Sequence, residues 1–132
     1  MYAGVRVRVK PIIPGECKGS LLILDRHISF FGEVDPETGC LKEGDIDICI
    51  DGKVLAFRGS RGSTVGPYVL YALKKNAKAP LCMLVEEVEP MLVAGCVLGD
   101  IPLYVVEPFS VLSGIPDGAH VEVREGELYV RW

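Results

Sequence analysis

The residues best placed to do chemistry lie in one stretch, Gly59-Ser60-Arg61-Gly62-Ser63-Thr64-Val65-Gly66, which follows the apolar run Val54-Leu55-Ala56-Phe57 and precedes Pro67. A buried strand that passes through glycines into a helix N-terminus leaves several backbone N–H groups unpaired, and the helix dipole adds partial positive charge there. Such a loop suits a phosphate, a carboxylate or an oxyanion. The spacing G-x-x-G-x-x-x-G lacks the G-x-G-x-x-G of dinucleotide folds and the Lys-Ser/Thr ending of a P-loop, so NAD and ATP are not expected. Arg58 and Arg61 tilt the loop toward anions. A second reading stays open on the loop alone, a plain strand-to-helix turn in which Ser63 and Thr64 cap the helix with their hydroxyls.

Metal chemistry finds less support. Cys17, Cys40, Cys49, Cys82 and Cys96 contain no C-x-x-C or C-x-x-H pair, and His27 and His120 stand far from any ligand spacing. The expectation is reduced, mostly buried thiols in a cytoplasmic protein, no metal or iron-sulfur site built from this chain alone, and two histidines in ordinary surface or packing roles. Fourteen Lys and Arg against 18 Asp and Glu give a net charge of −4, with no basic block dense enough to follow a phosphate backbone, so nucleic acid is not expected as a partner. The apolar fraction of 49% contains no run of about 18 apolar residues, which argues against both disorder and a membrane span. Arg6, Arg8 and Lys10 interrupt the N-terminal apolar positions, so a secretory signal is not expected either.

The elements that must position the loop follow from periodicity. The chain's 132 residues fit one domain, 1–132, with a core large enough to need no staple. Val is the commonest residue, and β-branched side chains favour pleated surfaces. Val5, Val7 and Val9 alternate with basic residues as a strand that Pro11 and Pro14 should end. Ser20 to Leu24 reads as a second strand. An irregular segment from Asp25 to Gly44 follows, with a turn at Asp35-Pro36-Glu37-Thr38-Gly39, and its length suggests a functional loop. Ile46, Ile48 and Ile50 alternate, and Asp51-Gly52 turns into Val54–Phe57. Pro67 opens a helix to about Asn76, Leu81 to Val85 is a strand, Pro90 begins a helix to about Leu98, and Leu103 to Val106 is a strand. Strand, helix, strand, helix, strand implies parallel pairing. Val121 and Val123 face Leu128 and Val130 across Glu125-Gly126 as a hairpin. The expected architecture is α/β: a short parallel sheet covered by two helices, packed beside antiparallel N- and C-terminal strands.

Four segments carry a family resemblance. Ser29-Phe30-Phe31-Gly32-Glu33-Val34-Asp35-Pro36-Glu37-Thr38-Gly39, Lys53-Val54-Leu55, Gly62-Ser63-Thr64-Val65-Gly66-Pro67-Tyr68-Val69-Leu70 and Lys75-Asn76-Ala77-Lys78-Ala79-Pro80 closely resemble the swivel-domain small subunit of the aconitase X family, over a match from about Ser20 to Val106. The resemblance implies a swivelling β/β/α domain. It implies a heterodimer with a separate aconitase X large subunit whose cysteines hold an iron-sulfur cluster of the four-iron type. The implied reaction is dehydration of (R)-5-phosphomevalonate, a phosphorylated hydroxy acid, to trans-anhydromevalonate 5-phosphate in a modified mevalonate pathway to isoprenoids. A cis-3-hydroxyproline dehydratase of the same family and a non-catalytic module that binds a phosphorylated ligand are the rival readings.

Carried onto this chain, the resemblance makes Ser63 the proton acceptor. A serine removes a proton α to a carboxylate only where N–H groups and cations stabilise its alkoxide. Gly62, Thr64, Gly66 and the following helix N-terminus are the candidates for that environment, and Arg61 is the candidate contact to substrate phosphate or carboxylate. Three positions depart from the commonest family pattern: Pro67, Phe31-Gly32-Glu33, and Asp100 before Ile101-Pro102. They bear on substrate contact rather than on the reaction class.

Overall fold

The computed structural model describes residues 2–62 and 66–131, with side chains from Arg6 onward. Two apolar runs organise it. Val54-Leu55-Ala56-Phe57 and Cys82-Met83-Leu84-Val85 are buried at every position, as strands of a parallel sheet covered on both faces must be. The strands are β1 (Tyr2–Arg8), β2 (Lys10–Ile13), β3 (Cys17–Ile28), β4 (Cys40–Glu43), β5 (Ile46–Cys49), β6 (Val54–Ser60), β7 (Cys82–Val85), β8 (Leu103–Val105), β9 (His120–Arg124) and β10 (Glu127–Arg131). The helices are α1 (Phe30–Glu33), α2 (Gly66–Lys75) and α3 (Pro90–Leu98), with a 3₁₀ turn at Phe109–Leu112.

Eight strands form one mixed sheet in the order β1-β10-β9-β3-β6-β7-β8-β2, and β4 pairs only with β5. Strands β3, β6, β7 and β8 run parallel, with α2 and α3 as the crossovers between the last three. The expected parallel sheet beside antiparallel strands is corrected to this single sheet. The reason is β3, whose first half pairs antiparallel with β9 and whose second half pairs parallel with β6. Only Val9 separates β1 from β2, yet the two strands occupy opposite edges of the sheet. The sheet therefore curls until its edges nearly meet, and Val9 N–H donates to Gly126 O at 2.9 Å.

The curl encloses one core, which includes Val9, Leu21, Val54, Ala56, Leu84, Tyr104, Phe109, Val121, Val123, Leu128 and Val130. A second core lies between the outer face and the helices, where Leu55, Phe57, Met83 and Val85 meet Phe30, Leu70, Leu73 and Leu92. Helix α2 ends in a Schellman motif. Ala77 takes a φ of 57°, Lys78 N–H donates to Leu73 O and Ala77 N–H to Lys74 O, which satisfies carbonyls the helix would otherwise leave open. No helix among the described residues is long and apolar enough to cross a membrane.

Three further expectations are corrected. Pro11 does not end the N-terminal pairing: it lies in β2 opposite Tyr104, on an edge strand where its missing N–H breaks no ladder. The segment from Asp25 to Gly44 is not irregular. Pairing of His27 and Ile28 with Gly59 and Ser60 carries β3 on to Ile28, and α1, the Asp35–Gly39 turn and β4 follow. The thiols are not all reduced, because Cys40 and Cys49 stand directly opposite each other across β4 and β5 and form a disulfide. Cys17 of β3 and Cys82 of β7 form a second, with Cα atoms 6.3 Å apart. Cys96 is the remaining free thiol, buried in the outer core. The hairpin reading holds, with Val123 opposite Leu128, Val121 opposite Val130, and positive φ at both Glu125 and Gly126, the geometry of a two-residue type I′ turn.

Candidate active site

The ends of β3 and β6 and the starts of α2 and α3 converge on one cleft. Phe30, Phe31, Ser60, Arg61, Gly62, Gly66, Pro67, Glu89, Met91 and Leu92 line it. It opens beyond the carboxyl ends of parallel strands, the position where α/β sheets hold their ligands. Ser63 and Thr64 lie outside the described residues, between Gly62 and the first residue of α2.

Two braces hold the loop where it leaves the sheet. Arg61 N–H donates to Ile28 O at 3.0 Å, so the loop begins as one more rung between β6 and β3. Gly62 has a φ of 108°, which calls for glycine, and a Cβ there would stand 3.1 Å from Ser29 Oγ, which would have to shift. The corner that presents Ser29 is itself fixed. Ser29 N–H donates to Glu33 Oε2 at 2.7 Å, and Arg26 ties Glu33 Oε1 at 2.7 Å to Glu43 Oε1 at 2.5 Å. On the other side Ser60 Oγ donates to Glu89 Oε1 at 2.6 Å. Glu89 also caps α3, accepting from Leu92 N–H at 2.7 Å and Met91 N–H at 2.9 Å. Burial works against the Glu89 charge, yet the bonds from Ser60, Met91 and Leu92 outweigh it and hold the carboxyl below the usual range.

Of the residues singled out from the sequence, the structure brings Arg61, Gly62 and Gly66 to this cleft. The Arg61 side chain is exposed, and no acidic group among the described residues pairs with it. Arg58 does not join it. Its guanidinium lies over the Phe109 ring at 4.8 Å and binds Asp25 at 2.5 Å and Glu86 at 2.9 Å, so its charge is already satisfied and the expectation that it favours an anion is corrected. His27 Nε2 lies 3.0 Å from Glu87 Oε1, a polar surface contact. Phe30 is buried edge-on against Phe57, whereas Phe31 is 61% exposed at the cleft rim. Glu89 escaped the sequence reading. Its one local signal is a carboxylate immediately before the proline that opens a helix, which marks a cap but not the bond to Ser60, 29 residues away.

A mixed sheet curled nearly shut, with helices outside it and a glycine loop at the mouth of its parallel strands, is the architecture of a swivel domain. The family model described as "Aconitase X swivel domain" matches residues 6–132, and the chain belongs to that family. A phosphomevalonate dehydratase small subunit of Aeropyrum pernix is 48% identical over 94% of this chain and 91% of its own length. One of Thermococcus gammatolerans is 40% identical over 96% of this chain and 98% of its own. The crystal structure of Thermococcus kodakaraensis aconitase X in its holo-form superposes with a TM-score of 0.87 at 38% identity, covering 98% of this chain and all of that one.

The iron-sulfur cluster implied by the family does not fit this chain's own residues. Such clusters are held by thiolates. Four of the cysteines are spent in disulfides, and burial pushes the Cys96 thiol up to about 12. Among the described residues no three His, Cys, Asp or Glu side chains converge as a metal site.

Proposed function

We infer that this chain is the small subunit of a phosphomevalonate dehydratase, a two-subunit hydro-lyase. The observation that carries the reading is likeness along nearly the whole chain to small subunits of that name. The reaction removes a proton from the carbon α to the carboxylate of (R)-5-phosphomevalonate. The electrons of that C–H bond become the double bond of trans-anhydromevalonate 5-phosphate, and the tertiary hydroxyl departs, so that proton and hydroxide leave together as water.

This chain's part is the proton. Ser63 sits between Gly62 and Gly66, and its alkoxide is a competent base only beside N–H groups and a cation. The start of α2 supports that environment, because its first amides have no intrahelical acceptors. Gly62, Thr64 and Gly66 contribute backbone donors, and Arg61 binds phosphate or carboxylate through its planar guanidinium. An iron-sulfur cluster, which this chain's own cysteines do not suit, would be held by the large subunit and would supply Lewis-acid chemistry there. That subunit closes over the cleft and covers Phe31, which then ceases to face water. The whole chain acts as one swivel unit, in the cytoplasm, where an acid bearing both a phosphate and a carboxylate charge is retained.

Co-expression with the large subunit, anaerobic reconstitution, and parallel assays with phosphomevalonate and cis-3-hydroxyproline test the reading. Dehydration of phosphomevalonate by the complex, and by neither subunit alone, is expected. Turnover of hydroxyproline without phosphomevalonate would overturn the substrate.

A further inference from the structure

We propose that Glu89 is a positioning residue for the dehydration: by gripping Ser60 at the end of β6 and the first amides of α3 with one carboxylate, it fixes the point from which the catalytic loop leaves the sheet. The inference rests on the reading of Ser63 given above and adds a residue to it. Glu89 lines the cleft. A carboxylate beside the site of an anionic substrate repels it unless the charge is directed elsewhere. Here it is directed into three hydrogen bonds, from Ser60, Leu92 and Met91, between 2.6 and 2.9 Å. A helix cap alone would need only the last two.

The bond to Ser60 has a distinct consequence. Arg61 and Gly62 are the described residues that lead from the end of β6 toward Ser63, so what fixes the end of β6 sets where the loop departs. At the far end Gly66 is built into α2. At the near end the pairing of Gly59 and Ser60 with β3 is reinforced by two further grips, Arg61 N–H on Ile28 O and Ser60 Oγ on Glu89. Loss of either loosens the point from which the loop departs, and a misplacement of about 1 Å in a catalytic group costs on the order of 10²-fold in rate.

The test compares Glu89→Ala, Ser60→Ala, the double variant and Glu89→Gln in the reconstituted two-subunit enzyme. Each single alanine variant should lower kcat by about 10- to 100-fold with KM held within about threefold. The double variant should be no slower than the slower single one, since both remove the same bond. Glu89→Gln keeps an amide oxygen for the Ser60 hydroxyl and should restore kcat to within about threefold of wild type, although one α3 amide loses its acceptor. Amide exchange across Arg58–Gly66 should quicken in both alanine variants and not in Glu89→Gln. A lowered melting temperature for Glu89→Ala with kcat and loop exchange unchanged would reduce Glu89 to a helix cap, and additive losses in the double variant would equally overturn the proposal. If Glu89→Ala fails to fold, Ser60→Ala against Glu89→Gln makes the same comparison. Ser63→Ala is assayed alongside: full activity there defeats the assignment of Ser63, while loop exchange still decides Glu89.

Discussion

Gly95 of α3 lies against Pro67 of α2, so close that a Cβ on Gly95 would stand 3.2 Å from Pro67 Cα and 2.4 Å from Leu70 Cδ1. The helices touch nearly backbone to backbone at this point. Pro67 is the second residue of α2, so the contact ties the start of that helix, and the loop it terminates, to α3. Glu89 caps the same α3, and the two helix N-termini face one cleft.

Gly95→Ala should therefore destabilise the subunit by about 1–3 kcal/mol, as overpacking does. Helix propensity alone favours alanine over glycine by about 1 kcal/mol. Thermal melts decide between them, and a raised melting temperature would show that α2 yields to the methyl group without strain.

Ser63→Ala should leave substrate binding intact and lower kcat by about two to four orders of magnitude, the usual contribution of general acid-base catalysis. A capping serine would instead lose about 1 kcal/mol of stability with turnover preserved. Steady-state kinetics and melting of the same preparation separate the two. Thr64→Ala and Arg61→Ala should act mainly through KM, since neither removes the base.

Phe31 and Tyr68, 61% and 68% exposed, should become covered in the complex. Phe31→Asp or Tyr68→Asp is expected to weaken association with the large subunit by at least about tenfold while leaving the isolated subunit's melting temperature nearly unchanged. Buried Phe30 gives the contrast, because Phe30→Ala should cost about 3–5 kcal/mol of stability. Calorimetric titration and melts of the free subunit read both. Undiminished affinity for Phe31→Asp would place the interface elsewhere.

Glu86 sets a pH dependence. The Phe109 amide at 2.7 Å and then the Arg58 guanidinium hold its carboxyl below the ordinary value. A carboxylate depressed on folding contributes stability that is fully present above its unfolded pKa and is lost as pH falls through its folded one. Wild type should thus melt above Glu86→Gln at neutral pH, and the gap should shrink as pH falls below about 4.5, where the unfolded chain's carboxyl is half protonated, toward the lower pKa of the folded one. A gap that persists undiminished well below that range would mean that packing, not charge, holds the 3₁₀ turn.

The two disulfides should differ in what their removal costs. Cys17–Cys82 spans 65 residues and Cys40–Cys49 spans 9. Loop-closure entropy assigns about 4 kcal/mol to the longer and about 2–3 kcal/mol to the shorter. Denaturant titrations of Cys17→Ser/Cys82→Ser and Cys40→Ser/Cys49→Ser give the two values. Equal losses would mean that native-state strain, rather than loop length, sets them. Disulfides of this kind do not by themselves mark export, since intracellular proteins of hyperthermophiles also carry them.

Periodicity and turn chemistry act over a few residues, and what they govern was legible in the amino-acid sequence. The alternation around Val121 and Leu128 with Glu125-Gly126 between them specified a hairpin in its correct register. Pro67 and Pro90 marked helix starts to within a residue, because a missing N–H is harmless there. The apolar runs of β6 and β7 announced parallel strands, and the glycine loop after β6 announced a strand-to-helix passage whose Arg61, Gly62 and Gly66 line a cleft. What depends on partners far along the chain was not legible. Arg58 reads as a free cation until Asp25 and Glu86, from two other elements, take its donors. Cys17 and Cys82 have no motif, and only the curl of the sheet brings them together. Glu89 reads as a cap until the end of β6 sets Ser60 beside it. The closure itself follows from β1 and β2 lying at opposite sheet edges although one residue joins them. Local dihedral preference chooses each strand and helix, but the burial of both sheet faces chooses the order of the strands, and that global minimum decides which distant side chains meet.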